Sequence, residues 1–325
     1  MHADEIHPQA RAAMASQVDL SRLRRFGPKP LRLLARVANR WENRNPPEVG
    51  DVTDRTVPGP AGAIPVRVYR PRGGGPSPTV VFFHGGGFVL RSLESHDVLC
   101  RRLVRESDCT VVSVDYRLAP EHPFPAAVED AYAATEWTAE NADRLDSDGG
   151  LAVAGDSAGG TLAAVVSLMA ADRGGPDVDH QTLVYPAVGA NERRESVERH
   201  AGTVLSKEDL AWFRDCYFES DVDRRNPYAD PMHARDCSGV APATVVTAGF
   251  DPLRDGGAAY AERLVSEGIS VRFENYEDMV HGFATMYEVD RSRELVADVA
   301  ADLREAFESK SESESKSDTA GGGDA

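Results

Sequence analysis

A serine between two glycines at the end of a short apolar run is the feature that most constrains the fold. The run Leu151–Ala154 is followed by GDSAG at positions 155–159, and residues 160–172 are predicted to form a helix of small side chains. In a strand-to-helix turn this sharp, there is no room for side chains on either side of the central residue. Glycine, which has no side chain, fits both positions. Such a turn exposes the hydroxyl of Ser157 above the sheet. The pattern indicates a nucleophilic serine in an enzyme that breaks acyl bonds, with an ordinary turn serine as the alternative.

Apolar strands and helices alternate along most of the chain. Strands are expected at 53–57, 64–69, 79–83, 110–114, 151–154, 182–185, 244–248 and 271–276, and helices at about 94–105, 126–141, 160–172, 256–267 and 291–307. Continuous apolar runs are typical of parallel strands that are buried on both faces. The alternation predicts an α/β fold, a mostly parallel eight-stranded sheet with helices on both faces.

The remaining segments divide the chain into a catalytic body, a cap and a tail. Residues 1–50 are predicted to be an N-terminal helical cap segment, and 51–308 the catalytic domain. Residues 189–237 interrupt the alternation and are expected to be a second cap insertion. The Ser/Glu/Lys-rich and glycine-rich stretch 309–325 is expected to be disordered.

The N-terminal segment is basic, although the chain as a whole is acidic. Eight cationic residues and one anionic residue lie between Arg22 and Arg44. Such a stripe can bind an anionic lipid surface. It can also pair with an acidic protein body, and we favour this second interpretation.

Composition excludes several classes of protein. The chain of 325 residues has 53 acidic and 36 basic residues and a net charge of −17, which argues against a nucleic-acid partner. The only lysines are Lys29, Lys207, Lys310 and Lys316. This acidic, lysine-poor composition is typical of proteins from high-salt cytoplasms, although a GC-rich genome would also favour arginine.

No targeting or metal-binding signal is found. The chain has no run of 18 apolar residues and no apolar N-terminal stretch, so we expect a cytoplasmic protein without stable membrane insertion. The four cysteines lack metal-binding spacing and are expected to be reduced. The sequence leaves open whether the protein is a monomer or a homodimer.

A glycine-rich loop follows the third predicted strand. The sequence HGGGF occupies positions 84–88, directly after the apolar run 79–83. Glycines let backbone N–H groups approach a ligand closely. An acyl-transfer enzyme needs such donors for the negative oxygen of its tetrahedral intermediate. A flexible glycine loop is the alternative for this segment alone.

A nucleophilic serine also needs a base and an orienting carboxylate. His281 lies after the last predicted strand, where the base belongs, and Asp251 follows the strand 244–248. Asp255 fits a helix cap better, and Asp278 a loop carboxylate. The other downstream histidines, His180, His200 and His233, are expected to be solvated on the surface.

Five blocks together resemble the hormone-sensitive-lipase family of α/β-hydrolases, which includes bacterial and archaeal carboxylesterases. They are HGGGF (84–88), DYRLAPEHPFPAA (115–127), GDSAGG (155–160), DPLRD (251–255) and HGF (281–283). The aspartate before the serine resembles the GDSAG subgroup. With the acidic composition, the resemblance points to an enzyme from a halophilic archaeon.

The resemblance implies roles for particular residues. They are Ser157 as nucleophile, Asp251 as acid, His281 as base, and the N–H groups of Gly86, Gly87 and Ala158 as the oxyanion hole. It also implies that Gly85 shapes the turn, that His84 positions the loop, and that no metal or organic cofactor takes part.

The expected activity is hydrolysis of a small-molecule ester with a short-to-medium acyl chain through an acyl-enzyme. We expect Phe88, Leu205, Phe213 and Phe283 to form the substrate wall. Amide or formamide hydrolysis with the same residues remains an alternative. A non-catalytic ligand receptor, which some plant members of the fold resemble, is another.

Overall fold

An eight-stranded sheet forms the centre of the computed structural model, which describes residues 3–16, 21–189 and 194–321. The strands are β1 (Asp51–Gly59), β2 (Gly62–Arg70), β3 (Ser77–Phe83), β4 (Thr110–Val114), β5 (Ser147–Asp156), β6 (His180–Val184), β7 (Ala243–Phe250) and β8 (Val271–Val280). Their order in the sheet is β1-β2-β4-β3-β5-β6-β7-β8. β1 and β2 are antiparallel, β2 is antiparallel to β4, and the strands from β3 to β8 run parallel. The predicted fold class is confirmed.

Helices cover both faces of this sheet. They are α1 (Pro8–Ser16), α2 (Pro28–Glu42), α3 (Leu93–Ser107), α4 (Ala126–Glu140), α5 (Ala142–Leu145), α6 (Ala158–Arg173), α7 (Glu195–His200), α8 (Lys207–Tyr217), α9 (Arg254–Ser266) and α10 (Asp290–Gly321), with short 3-10 helices at Ser21–Phe26, Asp223–Arg225, Pro231–His233 and Phe283–Thr285. Apolar side chains of α4, α6 and α9 form one core. Those of α1, α3 and α10 form a second core on the other face.

The central strand and helix are buried because most of their side chains are small or apolar. Every residue of β5 from Leu151 to Asp156 is buried, and so is every residue of α6 from Ala158 to Ala170. Small side chains such as Ala163 and Ala164 let α6 pack closely against the sheet. This rigid pair carries the serine at its junction.

The N-terminal segment divides into two parts instead of forming one cap. Ala10 of α1 is fully buried in the second core, and His7 N–H donates to Asp278 O at the end of β8. α1 is therefore part of the catalytic body.

α2 lies against the glycine-rich loop. Arg32 donates to Val89 O at 2.7 Å and to Ala119 O at 2.6 Å, and it forms an ion pair with Glu121. In the preceding 3-10 helix, Arg24 pairs with Asp209 of α8 at 2.6 Å. The Arg32–Glu121 pair therefore joins α2 to the segment after β4, whereas the Arg24–Asp209 pair joins the N-terminal segment to residues 189–237.

The last helix is longer than the sequence indicated. α10 continues to Gly321, whereas we expected helix to end near Phe307 and disorder to begin at Ser309. The stretch 309–320 contains neither proline nor glycine, and its two Glu and two Lys are good helix formers. Residues 322–325 lie outside the described part of the chain.

Within the described residues, none of the helices combines the length and the apolar character needed to cross a lipid bilayer. All four cysteines are free thiols.

Candidate active site

Ser157 occupies a strained turn between β5 and α6. Its backbone has φ 54° and ψ −118°, outside the regions that side-chain-bearing residues usually adopt. A Cβ on Gly159 would overlap the carbonyl oxygen of Phe83, and a Cβ on Gly155 would lie 2.6 Å from that oxygen. Gly159 is therefore required by the close approach of β3 to the turn, and Gly155 by the close approach of both Gly159 and β3.

Three side chains from different loops meet at the carboxyl edge of the sheet. His281, in the loop after β8, has Nε2 3.0 Å from Ser157 Oγ. Its Nδ1 lies 2.7 Å from Oδ2 of Asp251, and Asp251 belongs to the loop after β7. Asp251 is fully buried, and its other oxygen accepts a hydrogen bond from Leu253 N–H at 2.8 Å. This arrangement can move a proton from the serine hydroxyl to an imidazole that a carboxylate holds in place.

The competing carboxylates have other partners. Asp255 accepts a hydrogen bond from Ser196 N–H at the start of α7 and pairs with Arg254. Burial raises the pKa of Asp255, but the contacts with Ser196 and Arg254 outweigh it, so that the pKa lies below its usual range. Asp278 pairs with Arg291 of α10. Neither is hydrogen-bonded to His281.

The expectation of surface positions is wrong for one of the remaining histidines. His180 on β6 is buried, with Nε2 3.0 Å from Thr244 Oγ1, and burial lowers its pKa to about 4. His200 is half-buried against the ring of Phe250. His233 is exposed.

The glycine-rich loop after β3 turns beside the serine. Gly86 has φ +114° and Gly87 φ +63°, and a Cβ on Gly87 would lie 2.5 Å from the ring of Phe213. Among the described residues, none accepts a hydrogen bond from the N–H of Gly86 or Gly87. Ala158 begins α6, where first-turn N–H groups have no partner within the helix. These three N–H groups are available to a negative oxygen.

Gly85 has a different function in the same loop. Its N–H donates to Asp156 Oδ1 at 2.8 Å. Asp156 also faces His96, whose Nε2 is 2.9 Å from the same oxygen. Burial raises the pKa of Asp156, but His96 and the Gly85 N–H outweigh it and hold the pKa below its usual range. His96 was not predicted from the sequence. The one signal for it is its position near the start of α3, and this position alone does not indicate a contact with Asp156.

His84 and Tyr116 support the loop from below. Their rings stack at 4.4 Å, and Tyr116 Oη donates to His84 O at 2.6 Å. Burial lowers the pKa of His84 to about 3, which keeps the imidazole neutral. Tyr116 lies in the DYRLAPEHPFPAA block, and this block was the sequence feature that pointed to Tyr116.

A cavity of about 870 Å³ lies above Ser157. Its wall includes Phe88, Leu205 and Phe213, as the sequence predicted, and Phe88 stacks on Tyr217 at 3.9 Å. Further apolar wall residues that sequence reasoning missed are Val197, Val204, Leu210 and Met286. No described residue of 1–50 is in this wall.

Phe283 is not part of the wall, which corrects the prediction for this residue. It is fully buried, with ring centroids 5.7 Å from Tyr185 and 5.1 Å from Tyr276. The 3-10 turn that begins after Gly282 directs Phe283 into the core beneath His281, whereas Gly282 and Thr285 border the cavity. Tyr185, which sequence reasoning also missed, has its ring 4.9 Å from that of His281.

The parallel sheet, the strained serine turn and the loops at its carboxyl edge define an α/β-hydrolase fold. The chain belongs to the Abhydrolase_3 family, described as alpha/beta hydrolase fold, which matches residues 80–285. It is similar to the carboxylic ester hydrolase LipN of Mycobacterium tuberculosis, with 48% identity over 247 residues that cover 74% of this chain and 66% of that protein. The esterase LipI of the same organism is 44% identical over 239 residues, which cover 71% of this chain and 74% of LipI. Among solved structures, an esterase of Pyrobaculum calidifontis is 44% identical, with a TM-score of 0.82 and coverage of 92% of this chain and 98% of that one.

Proposed function

We propose that this protein is a serine carboxylesterase that hydrolyses short-to-medium-chain carboxylic esters through an acyl-enzyme on Ser157. The observation that carries the proposal is the continuous contact from Ser157 Oγ through His281 to the buried Asp251, at 3.0 and 2.7 Å. The esterase names of LipN, LipI and the Pyrobaculum calidifontis structure support the same class of reaction.

The mechanism follows from these contacts. Ser157 Oγ attacks the ester carbonyl carbon while His281 Nε2 takes the hydroxyl proton. Asp251 holds the ring through Nδ1 and stabilises the imidazolium. The carbonyl oxygen becomes negative and accepts hydrogen bonds from the N–H groups of Gly86, Gly87 and Ala158. The imidazolium then gives its proton to the departing alcohol oxygen.

Water completes the cycle. It attacks the acyl-enzyme carbonyl while His281 Nε2 takes a proton from it, and the same proton returns to Ser157 Oγ as the acid leaves. The turnover consumes one water and yields one acid and one alcohol, and the serine is regenerated.

The shape of the cavity supports esters of limited chain length. Residues of α7, of α8 and of the segment from Phe218 to His233 line the cavity above the serine. Phe213 of α8 lies directly against the glycine-rich loop. An aromatic wall near the reacting carbonyl favours short-to-medium acyl chains over long ones.

Replacing the nucleophile tests the proposal. We expect Ser157→Ala to reduce kcat/KM for 4-nitrophenyl butyrate by about 10⁴-fold or more and to abolish labelling by a fluorophosphonate probe. The matched control is Ser238→Ala, an exposed loop serine that does not line the cavity, which should keep both properties. Full activity in Ser157→Ala would refute the proposal, and failure of the wild-type protein to react with the probe would favour a receptor.

An ester and its matched amide separate the two hydrolase alternatives. The contacts of Ser157 are suited to ester hydrolysis and to amide hydrolysis alike, because the wall of the cavity selects the leaving group. We expect the butyrate ester of 4-nitrophenol to be cleaved with a higher kcat/KM than the butyramide of 4-nitroaniline. The reverse order would assign the protein to amide hydrolysis.

A further inference from the structure

Arg91 is a cation in the cavity wall with an unusual backbone. Its φ is +74°, in the left-handed region that favours glycine, and its side chain is exposed. Among residues 3–16, 21–189 and 194–321, none forms a hydrogen bond or an ion pair with its guanidinium. An unfavourable backbone that places an unpaired cation in a binding cavity indicates a function for that cation.

The side chain of Arg91 begins beside the reaction centre. A Cβ on Gly86 would lie 2.7 Å from Arg91 Cγ, so the stem of the arginine packs against one of the proposed oxyanion donors. Arg91 and Ser157 border the same cavity. A group bonded to the guanidinium is therefore on the substrate itself or close to it.

The charges in the described wall are mainly positive. The cationic side chains are those of Arg91, Arg194, Arg214 and Arg224, and the anionic side chains are those of Asp156 and Asp230. Both carboxylates already accept backbone hydrogen bonds, Asp156 from Gly85 and Asp230 from Gly189 and Met232. Among the described wall residues, cations therefore outnumber carboxylates, whereas the chain as a whole has a net charge of −17.

The other arginines are held by protein groups. Arg194 donates to Gly189 O and Asp255 O, and Arg224 pairs with Asp221 at 3.1 Å. Arg214 lies 3.4 Å from Asp215. Arg91 is the wall cation that the described protein groups leave available to a ligand.

We propose that Arg91 forms a subsite for an anionic group of the substrate, so that esters bearing a carboxylate are preferred over matched neutral esters. This inference rests on the proposed esterase function. A guanidinium binds a carboxylate through two parallel N–H donors, which makes arginine well suited to this ligand. The carboxylate belongs to the acyl part or to the alcohol part of the ester, and the experiment distinguishes the two.

Two pairs of esters test the subsite at low salt. The first pair is 4-acetoxybenzoate and its methyl ester, which differ in charge on the alcohol side. The second is mono-4-nitrophenyl adipate and its methyl ester, which differ in charge on the acyl side. The measured quantity is the ratio of kcat/KM for the anionic ester to that for the neutral ester in each pair.

We expect Arg91→Gly to lower this ratio about fivefold in at least one pair, the effect of one exposed ion pair. Arg91→Lys keeps the charge and should retain most of the ratio. The control Arg105→Gln removes an exposed cation from the far end of α3 and should leave the ratio unchanged. The difference between wild type and Arg91→Gly should shrink in 1 M KCl because salt screens the attraction.

The outcomes separate the two proposals. Glycine accepts a φ of +74°, so Arg91→Gly is expected to fold, which thermal melting checks. Equal ratios in wild type and Arg91→Gly for both pairs, with the neutral esters still hydrolysed, would overturn the subsite alone. Failure of the wild-type protein to hydrolyse any of the four esters would overturn the esterase function and the subsite with it.

Discussion

His96 Nε2 lies 2.9 Å from Asp156 Oδ1, and both side chains are buried beside Ser157. The same carboxylate oxygen accepts the N–H of Gly85. One side chain thereby connects the turn that carries Ser157 with the glycine-rich loop. Because a buried carboxylate is stable only when it is paired, these contacts fix the distance between Ser157 and the proposed oxyanion donors of the loop.

Removal of this carboxylate should affect turnover more than binding. We expect Asp156→Ala to lower kcat for 4-nitrophenyl butyrate about 10- to 100-fold with little change in KM, since the proposed oxyanion donors would shift relative to Ser157. Asp156→Asn, which can still accept the Gly85 N–H, should recover part of the loss. The control Asp177→Ala removes an exposed carboxylate before β6, at the opposite edge of the sheet, and should have no effect. A rise in KM alone would contradict a positioning role.

The close approach at Gly159 predicts a strong effect of a single methyl group. We expect Gly159→Ala to lower the free energy of unfolding by about 1–3 kcal/mol through overpacking against Phe83, and to reduce activity. Gly174→Ala, directly after the C-terminal end of α6, is the matched control. Gly174 has φ +60°, and nothing lies within 4 Å of the added Cβ. It should destabilise by about 1 kcal/mol through backbone strain alone and keep full activity. Urea unfolding and kcat measure the two effects.

Stability should decline as the solution becomes mildly acidic. Burial lowers the pKa of His84 to about 3 and that of His180 to about 4, whereas both titrate near 6.5 in the unfolded chain. The unfolded state therefore binds more protons between about pH 6.5 and 4. Each histidine then reduces the free energy of unfolding by at most about 1.4 kcal/mol per pH unit as the pH falls through this window.

His180→Asn tests this dependence away from the site. We expect the slope of the free energy of unfolding against pH, measured by urea between pH 7 and pH 5, to be smaller in this variant. An unchanged slope would show that His180 titrates normally in the folded protein.

Phe213 should control the acyl-chain preference. Its ring packs on Gly87 and faces the cavity, so Phe213→Ala enlarges the space near the reacting carbonyl. We expect the optimum of kcat/KM to move to longer chains, with KM for the butyrate ester roughly tenfold higher. Phe283→Leu, a change in the core, should lower the melting temperature and leave the chain-length optimum in place. A wild-type optimum beyond about C12 would contradict the proposed substrate class.

The acidic composition predicts a response to salt. With 53 acidic and 36 basic residues, like charges repel one another over much of the surface at low ionic strength. Molar KCl shortens the screening length to about 3 Å. We therefore expect the melting temperature and the activity to rise between 0.05 and 2 M KCl, whereas a flat or falling response would indicate an ordinary acidic protein.

The positions of residues that directly follow a strand end or form a glycine turn were predictable from the sequence. Ser157, His281 and Asp251 follow the ends of β5, β8 and β7, and parallel strands deliver such residues to the same edge. The glycines of the loop at 85–87 were predictable for the same reason. These positions depend on local backbone geometry and strand order, both of which leave patterns in the sequence.

Positions that depend on side-chain direction were not predictable. Phe88 and Phe283 both follow a glycine at the site, yet only Phe88 reaches the cavity because the 3-10 turn directs Phe283 inward. His96 is separated from Asp156 by about sixty residues, and no local pattern connects them. The length of α10 was also underestimated, since low-complexity composition does not by itself exclude a helix.

Arg32 joins the N-terminal helix α2 to the backbone of the glycine-rich segment through Val89 O, and to the neighbouring turn through Ala119 O. A fusion tag, a truncation or a bound partner that displaces α2 would pull on this segment some distance from the serine. Changes that displace α2 should therefore be assessed by kinetics as well as by protein yield.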